Sequence, residues 1–265
     1  MENTRLQLPG LSNSATTFPA RVDLGQGYDR AQRIWYPAGS KQNNQPEKVT
    51  IMTENRPEEK SYNVLPGPKM GLITPAYLEE IAAVARKHQV PFLKITGAQR
   101  LAIAGHAPET AAAIWRELGQ PQGPKKPVGI HYIQACPGKA WCKYGRQDSL
   151  ALGKKFEKSL LGLPLPAKTK VGISGCQFNC CESYLRDLGV FGTTKGWSLV
   201  FGGNGGGSPR IGDVVGEGLN DEEVLELARR CLDFYQGRAR KMERTGRLMR
   251  HTELVELLEY IGKAT

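Results

Sequence analysis

The chain has 265 residues, of which 40% are hydrophobic and 8% aromatic, enough to bury one sizeable core or to divide into two small domains. Its 36 Lys and Arg against 26 Asp and Glu leave a formal charge of +10, which attracts anionic partners without naming one. Six cysteines are too few for a disulfide scaffold, no apolar run is long enough to cross a bilayer, and Met1-Glu2-Asn3-Thr4-Arg5 lacks the pattern of a signal peptide, so a cytoplasmic protein without a membrane partner is expected.

Residues 1–68 are rich in Pro, Asn, Gln, Gly and Ser and read as an N-terminal extension, with a short strand candidate at Lys48 to Thr53. Thr74-Pro75 then supplies a cap and an N1 proline, and Tyr77, Leu78, Ile81, Ala82, Val84 and Ala85 recur at helical spacing, which predicts a helix over 74–88. Strands are predicted at Val90 to Thr96 and Leu101 to Ala104, followed by a helix over 108–118. The Pro and Gly cluster at 121–129 marks the domain boundary, giving units of 69–120 and 121–265 after the extension.

Beyond it, strands are predicted at Ile130 to Ile133, Lys170 to Ser174 and Gly196 to Gly203, with a basic-faced helix over 149–160. Asn220, followed by three acids, opens a helix over 221–236, and a last helix runs over 252–261. The fold class is α+β. Arg238, Arg240, Lys241, Arg244, Arg247 and Arg250 form the densest basic run; without interleaved aromatics it reads as a solvated rim rather than a nucleic-acid surface.

The chemistry concentrates in two cysteine pairs, Cys136-x5-Cys142 and Cys176-x3-Cys180. Two loops bringing two soft ligands each suit an iron-sulfur cluster; zinc remains an alternative, although five intervening residues is longer than its usual pair, and unligated redox thiols are a third. Cys181 adjoins Cys180 and diverges from it, and Cys231 lies on an apolar helix stripe, so neither is expected to be a ligand. Gly138, Gly172 and Gly175 are expected to let backbone approach the cluster.

The stretches Ala135 to Ser149 (ACPGKAWCKYGRQDS) and Gly172 to Gly189 (GISGCQFNCCESYLRDLG) together closely resemble the nitrite and sulfite reductases that carry sirohaem and a [4Fe-4S] cluster, most of all the small single-module sulfite reductases. Residues 69–106, with Lys94-Ile-Thr-Gly-Ala-Gln-Arg100, are similar to that family's ferredoxin-like half-domain. The resemblance implies that Cys136, Cys142 and Cys176 hold cluster irons while Cys180 bridges the cluster to the sirohaem iron. It also implies a six-electron reduction of sulfite to sulfide fed by an external, ferredoxin-type donor, with nitrite reduction to ammonia or a non-catalytic electron-transfer role as alternatives. A homo-oligomer is compatible with the single module.

Sirohaem carries eight carboxylates and needs paired donors when buried, for which Gln99, Lys139, Lys143, Arg146, Arg186 and Asn204 are the cofactor-binding candidates. The glycine run 202–207 matches the family's Gly-Gly-Asn-Gly-Gly segment and is expected against the macrocycle. An oxyanion losing oxygen needs cations to bind it and deliver protons. Lys94, Arg100, Lys168 and Lys170 are the catalytic candidates; Ala98 stands where larger sulfite reductases have an anion-binding arginine, and Arg100 is the neighbouring replacement.

Overall fold

The structure, a computed structural model, describes residues 28–29, 34–35, 62–67, 69–107, 109–119 and 128–262. It divides into two units, Met1–Thr53 and Glu54–Thr265. In the first, β1 (Tyr28–Asp29) and β2 (Ile34–Trp35) pair antiparallel. The strand candidate at 48–53 and residues 121–127 of the expected boundary lie outside the described residues.

The second unit opens with a three-stranded antiparallel sheet in the order β3 (Tyr62–Val64), β5 (Leu101–Ala104), β4 (Phe92–Ile95). Helix α1 (Pro75–Lys87) starts where expected, with Thr74 Oγ1 accepting from Tyr77 N at 3.2 Å and Pro75 as its first residue. With α2 (Thr110–Glu117) it encloses a small core of Leu65, Ile81, Ile103, Ala111, Ile114 and Leu118. β3 comes from the segment read as extension, so this sheet begins before residue 69.

The larger sheet runs β10 (Asp213–Leu219), β9 (Gly196–Phe201), β8 (Leu188–Thr193), β7 (Lys168–Ser174), β6 (Gly129–Ala135). β6, β7 and β8 are mutually parallel, and the β8–β9 and β9–β10 pairs are antiparallel. Helices α4 (Ser149–Leu160) and α5 (Asp221–Arg238) pack their apolar stripes on one face, burying Leu152, Phe156, Val171, Ile173, Trp197, Ala228 and Leu232 in one core. α5 begins with the full reciprocal cap: Asn220 Oδ1 accepts from Glu222 N and Glu223 N, and Glu223 accepts from Asn220 N at 2.8 Å. Trp197 Nε1 donates to Asp221 Oδ1 at 2.8 Å, which ties β9 to that cap. α7 (Leu254–Gly262) closes the described chain against α5.

In the larger sheet two strands, β8 and β10, differ from expectation, as do β1, β2 and β3 in the segment read as an extension. β8 carries Gly189, where an added Cβ would lie 2.0 Å from Ser183 O; the glycine that weakens the strand pattern is what lets the 183–185 turn rest on the sheet. In β10 Gly216 and Gly218 interrupt the alternation, and its register against β9 shifts twice.

The half-domain is strapped to the larger sheet by two side-chain amides, of which Gln134 Nε2 donates to Gly97 O at 2.5 Å and Gln99 makes the reciprocal contact. Gln99 Nε2 donates to Ala135 O at 3.0 Å, and Ala135 N donates to Gln99 Oε1 at 3.1 Å, completing a reciprocal pair at the end of β6. Gln99 sits at φ +57°, a left-handed conformation that glycine adopts without strain. Replacing it by glycine therefore isolates the amide: Q99G is expected to destabilise the protein by about 2 kcal/mol through two buried backbone groups left unpaired. Denaturant melts, with proteolysis in the 105–130 segment as a readout of half-domain release, check this; an unchanged midpoint refutes the strap.

Candidate functional site

β6 and β7 are adjacent and parallel, so both cysteine-bearing loops leave the carboxyl edge of the sheet side by side. Cys136 follows β6 directly, the single turn α3 (Gly138–Trp141) carries the chain to Cys142, and Cys176 and Cys180 follow β7. All six cysteines are free thiols. The Cys180 thiol is pushed above its ordinary value first by its partial burial and then by Cys136, Cys176 and Cys142, so the other three expected ligands lie within electrostatic reach of Cys180.

The loops are locked together by main-chain contacts. Gly175 N donates to Cys136 Sγ at 3.0 Å, and Gly175 O accepts from Arg146 N at 2.8 Å and Gln147 N at 3.0 Å. Ser149 Oγ donates to Cys136 O at 2.7 Å and stands 3.4 Å from its sulfur. An added Cβ on Gly138 would lie 2.3 Å from Ser149 Oγ, and one on Gly175 2.6 Å from Gly138 Cα. Gly138 and Gly175 thus serve loop-to-loop approach, and the space beside Gly172 is taken by Cys181 O and Arg186. Donors aimed at a ligand sulfur stabilise its negative charge, so this donor set fits a [4Fe-4S] cluster.

Asn179, at φ +57°, closes the second loop by accepting from Ser174 Oγ at 3.2 Å and Ser183 N at 2.8 Å. Cys180 is left exposed, while Cys181 is buried, its thiol pushed up to about 12, chiefly by burial, and its N–H donates to Ser174 Oγ at 3.0 Å. The segment 180–186 then folds back along the helix-free face of the sheet.

That face is cationic. On β7 Val171 and Ile173 enter the core, so Lys168, Lys170 and Gly172 alternate to the other side; Tyr132 of β6 lies where the register against β7 shifts, between Ile130 and Ile133. Lys170 is lowered from the ordinary lysine range, first by burial and then by Arg244 and Arg186, against which Asp187 pulls upward. Burial raises the Tyr132 phenol, with Arg186, Arg244 and Arg100 acting in the opposite direction. Arg100 is lowered by burial and supported by Tyr132 and Tyr62. Arg186, Arg244 and Arg100 therefore lie within electrostatic reach of Tyr132, and Arg244, Arg186 and Lys168 within reach of Lys170, so the two groups share Arg186 and Arg244. Cys181 O lies against Gly172, and Lys170 follows about 7 Å back along the strand from that glycine.

The other candidates are placed differently. Lys94 is exposed on β4, at the edge of the small sheet. Lys139, Lys143 and Arg146 are exposed on the first cysteine loop, Lys143 Nζ lying 4.8 Å over the Tyr144 ring, which meets Phe178 of the second loop edge-on at 5.0 Å. Arg186 donates from Nε to Cys181 O and from Nη2 to Glu182 Oε2, both at 2.9 Å. The Gln99 amide is committed to Ala135, and the Asn204 amide closes its own loop on Ser208 O and Gly206 N. In the glycine run, added Cβ atoms on Gly202 and Gly203 would meet Met249 Cγ at 2.7 Å and Tyr184 O at 2.4 Å, so the chain itself takes up the room there. Tyr132, Asp187 and Arg244 were missed. The one sequence signal for Asp187 is a lone acid abutting an apolar strand, which must be paired once buried; Arg244 carries none.

Comparison with known proteins adds to this geometry. Residues 129–265 match the family model described as the nitrite and sulphite reductase 4Fe-4S domain, and residues 56–121 the nitrite/sulfite reductase ferredoxin-like half domain. An assimilatory-type sulfite reductase of Nitratidesulfovibrio vulgaris is 45% identical over 192 residues, 72% of this chain and 88% of that one. A nitrite reductase [NAD(P)H] of Bacillus subtilis is 38% identical over 194 residues, 73% of this chain but only 24% of that much longer relative. In fold, the chain is similar to dissimilatory sulfite reductase I, with a TM-score of 0.66 at 14% identity over 77% of this chain and 69% of that one. Both family domains in order, with the thiols gathered at one sheet edge, make this chain an oxidoreductase belonging to the nitrite and sulphite reductase family, whose cofactors are a [4Fe-4S] cluster and sirohaem.

Proposed function

We propose that the protein reduces sulfite to sulfide by six electrons, taking them from an external donor. The observation that carries this reading is the cationic face around Tyr132 and Lys170 of β7, the strand that leads to exposed Cys180. The long match to an assimilatory-type sulfite reductase, over 88% of that relative, supports sulfite over nitrite. Nitrite is the second reading, because Thr96-Gly-Ala-Gln-Arg100 resembles the corresponding segment of NADH-linked nitrite reductases and lacks the arginine of the larger sulfite reductases.

When bound, the two cofactors supply stored electrons and an iron with an open face. Cys136, Cys142, Cys176 and Cys180 would hold the cluster, with Cys180, the exposed thiol of the four, the one that would also face the sirohaem. Lys168, Lys170 and Arg100 bind the oxyanion and stabilise the charge that develops as each oxygen leaves as water. Partial desolvation of Lys170 strengthens its hold on an anion, and Tyr132, kept protonated by its burial, adds a neutral donor. Lys139, Lys143 and Arg146, exposed on the first cysteine loop, suit an acidic ferredoxin-type donor.

Anaerobically purified protein with reduced viologen is expected to turn over sulfite faster than nitrite; the reverse order favours the second reading, and reduction of neither refutes both. K170M should lower kcat/KM for sulfite about 100-fold with iron and sulfide content unchanged. C180S is expected to lose sirohaem or uncouple it magnetically from the cluster, whereas C181S, at a buried thiol outside the ligand set, keeps both signals. Equal damage from the two refutes the ligand assignment.

A further inference from the structure

Asp187 is fully buried, yet it accepts four hydrogen bonds: from Lys170 N at 2.7 Å, from Thr245 Oγ1 at 2.7 Å, from Arg244 Nε at 3.2 Å and from Arg244 Nη2. A buried carboxylate is costly, and apolar side chains of similar volume hold a core together at least as well, so such a pair is weak as a stabilising device. It does fix geometry. The two-pronged contact sets the plane of a guanidinium brought from a segment 57 residues further along the chain, while the bond from Lys170 N fixes the strand that carries a proposed substrate-binding lysine.

Arg244 itself is 28% exposed, against 1% for Asp187. Its Nη1 has no acceptor among the described residues, whereas other members of the basic run are engaged elsewhere: Arg238 with Glu256, Arg250 with Ser208 O and Pro209 O. Arg244 thus differs from the rest of that run in being turned to the face where Lys170, Arg186 and Tyr132 meet. Five cations gather there, with Asp187 buried beneath them and Glu182 pairing with Arg186 at the exposed margin. The unbalanced positive charge, and a guanidinium held on one side with donors left on the other, make a site for an anion that offers two oxygens.

We propose that Arg244, held in place by Asp187, is an anion-binding residue of this face, replacing the arginine that Ala98 lacks, and that Asp187 is its positioning residue. The inference rests on the reading of this face as the oxyanion site. A sulfite oxyanion and a sirohaem carboxylate present the same chemistry to it, and the experiment separates them.

Holoenzyme is prepared as wild type, R244Q, R244K, D187N and the D187N/R244Q double variant. Sirohaem per cluster is read from absorbance and iron content, and the sulfite Kd from spectral titration of the oxidised, non-turning-over protein. Selective loss of sirohaem in R244Q, with the cluster retained, identifies a cofactor carboxylate as the anion. Full sirohaem with a sulfite Kd weakened roughly 10- to 100-fold identifies the substrate. R244K, which keeps the charge but not the fork, should recover only part of the loss.

If Asp187 acts through Arg244, the double variant is no worse than R244Q in the affected quantity; additive losses refute the positioning role. R244Q leaves the Asp187 carboxylate without its charged partner, so a folding failure of R244Q or D187N alone is read against R244K, which keeps the charge, and the double variant, which removes both charges. Sirohaem content and sulfite affinity both unchanged in R244Q overturn the proposal, while a wild type that neither holds sirohaem nor reduces sulfite or nitrite overturns the functional reading beneath it.

Discussion

Four thiols from two loops must stand at a fixed separation before any metal arrives, and the contact between Gly138 and Gly175 is what sets it. Those two positions pack backbone against backbone, with Ser149 and Gln147 filling the remaining room. The same contact aims Gly175 N at Cys136 Sγ and leaves Gly175 O to gather two N–H groups from the first loop. A side chain at Gly175 would push the loops apart by more than rotamer changes can absorb, because the nearest obstructing atoms, Gly138 Cα and Gln147 O, are main chain, while one at Gly138 would collide with Ser149 and Gln147 of its own loop. The parallel pairing of β6 and β7 brings the loops to one edge; the glycines turn proximity into register.

The sheet beneath is divided by its own pleat. Along β7 alternate residues go to the helices or to the cationic face, so one strand supplies core packing through Val171 and Ile173 and charge through Lys168 and Lys170. Tyr132 on β6 joins that charged side through Arg186 and Arg244, which act on both Tyr132 and Lys170. Position on the strand separates the work further: thiols beyond its carboxyl end, ammonium groups at its start. An extended electron-transfer site thereby needs little more than one strand and the loops beside it.

Much of this was legible in residue order. Helix patterning located α1, α4 and α5 to within a residue or two, and for α1 and α5 the caps Thr74-Pro75 and Asn220 are local signals read by local physics. The cysteine set was legible as spacing. β8 and β10 were not, since their glycines answer to tertiary neighbours, Ser183 O in one and Leu227 in the other, that no local pattern reveals. The polar candidates fared unevenly for the same reason: Gln99 and Asn204 are donors as expected, but to Ala135 and to the 204–208 loop. Arg244 looked like one more charge in a solvated run until folding set it against Asp187, far away in sequence.

The Gln99 strap limits how the half-domain can move. Ala135, whose N–H and C=O it satisfies, is the residue immediately before Cys136, so swinging the half-domain away would strip two buried polar groups next to the first ligand sulfur. A hinge at that point would disturb the cluster's own anchorage in every catalytic cycle. The half-domain therefore acts as a fixed wall beside the first cysteine loop.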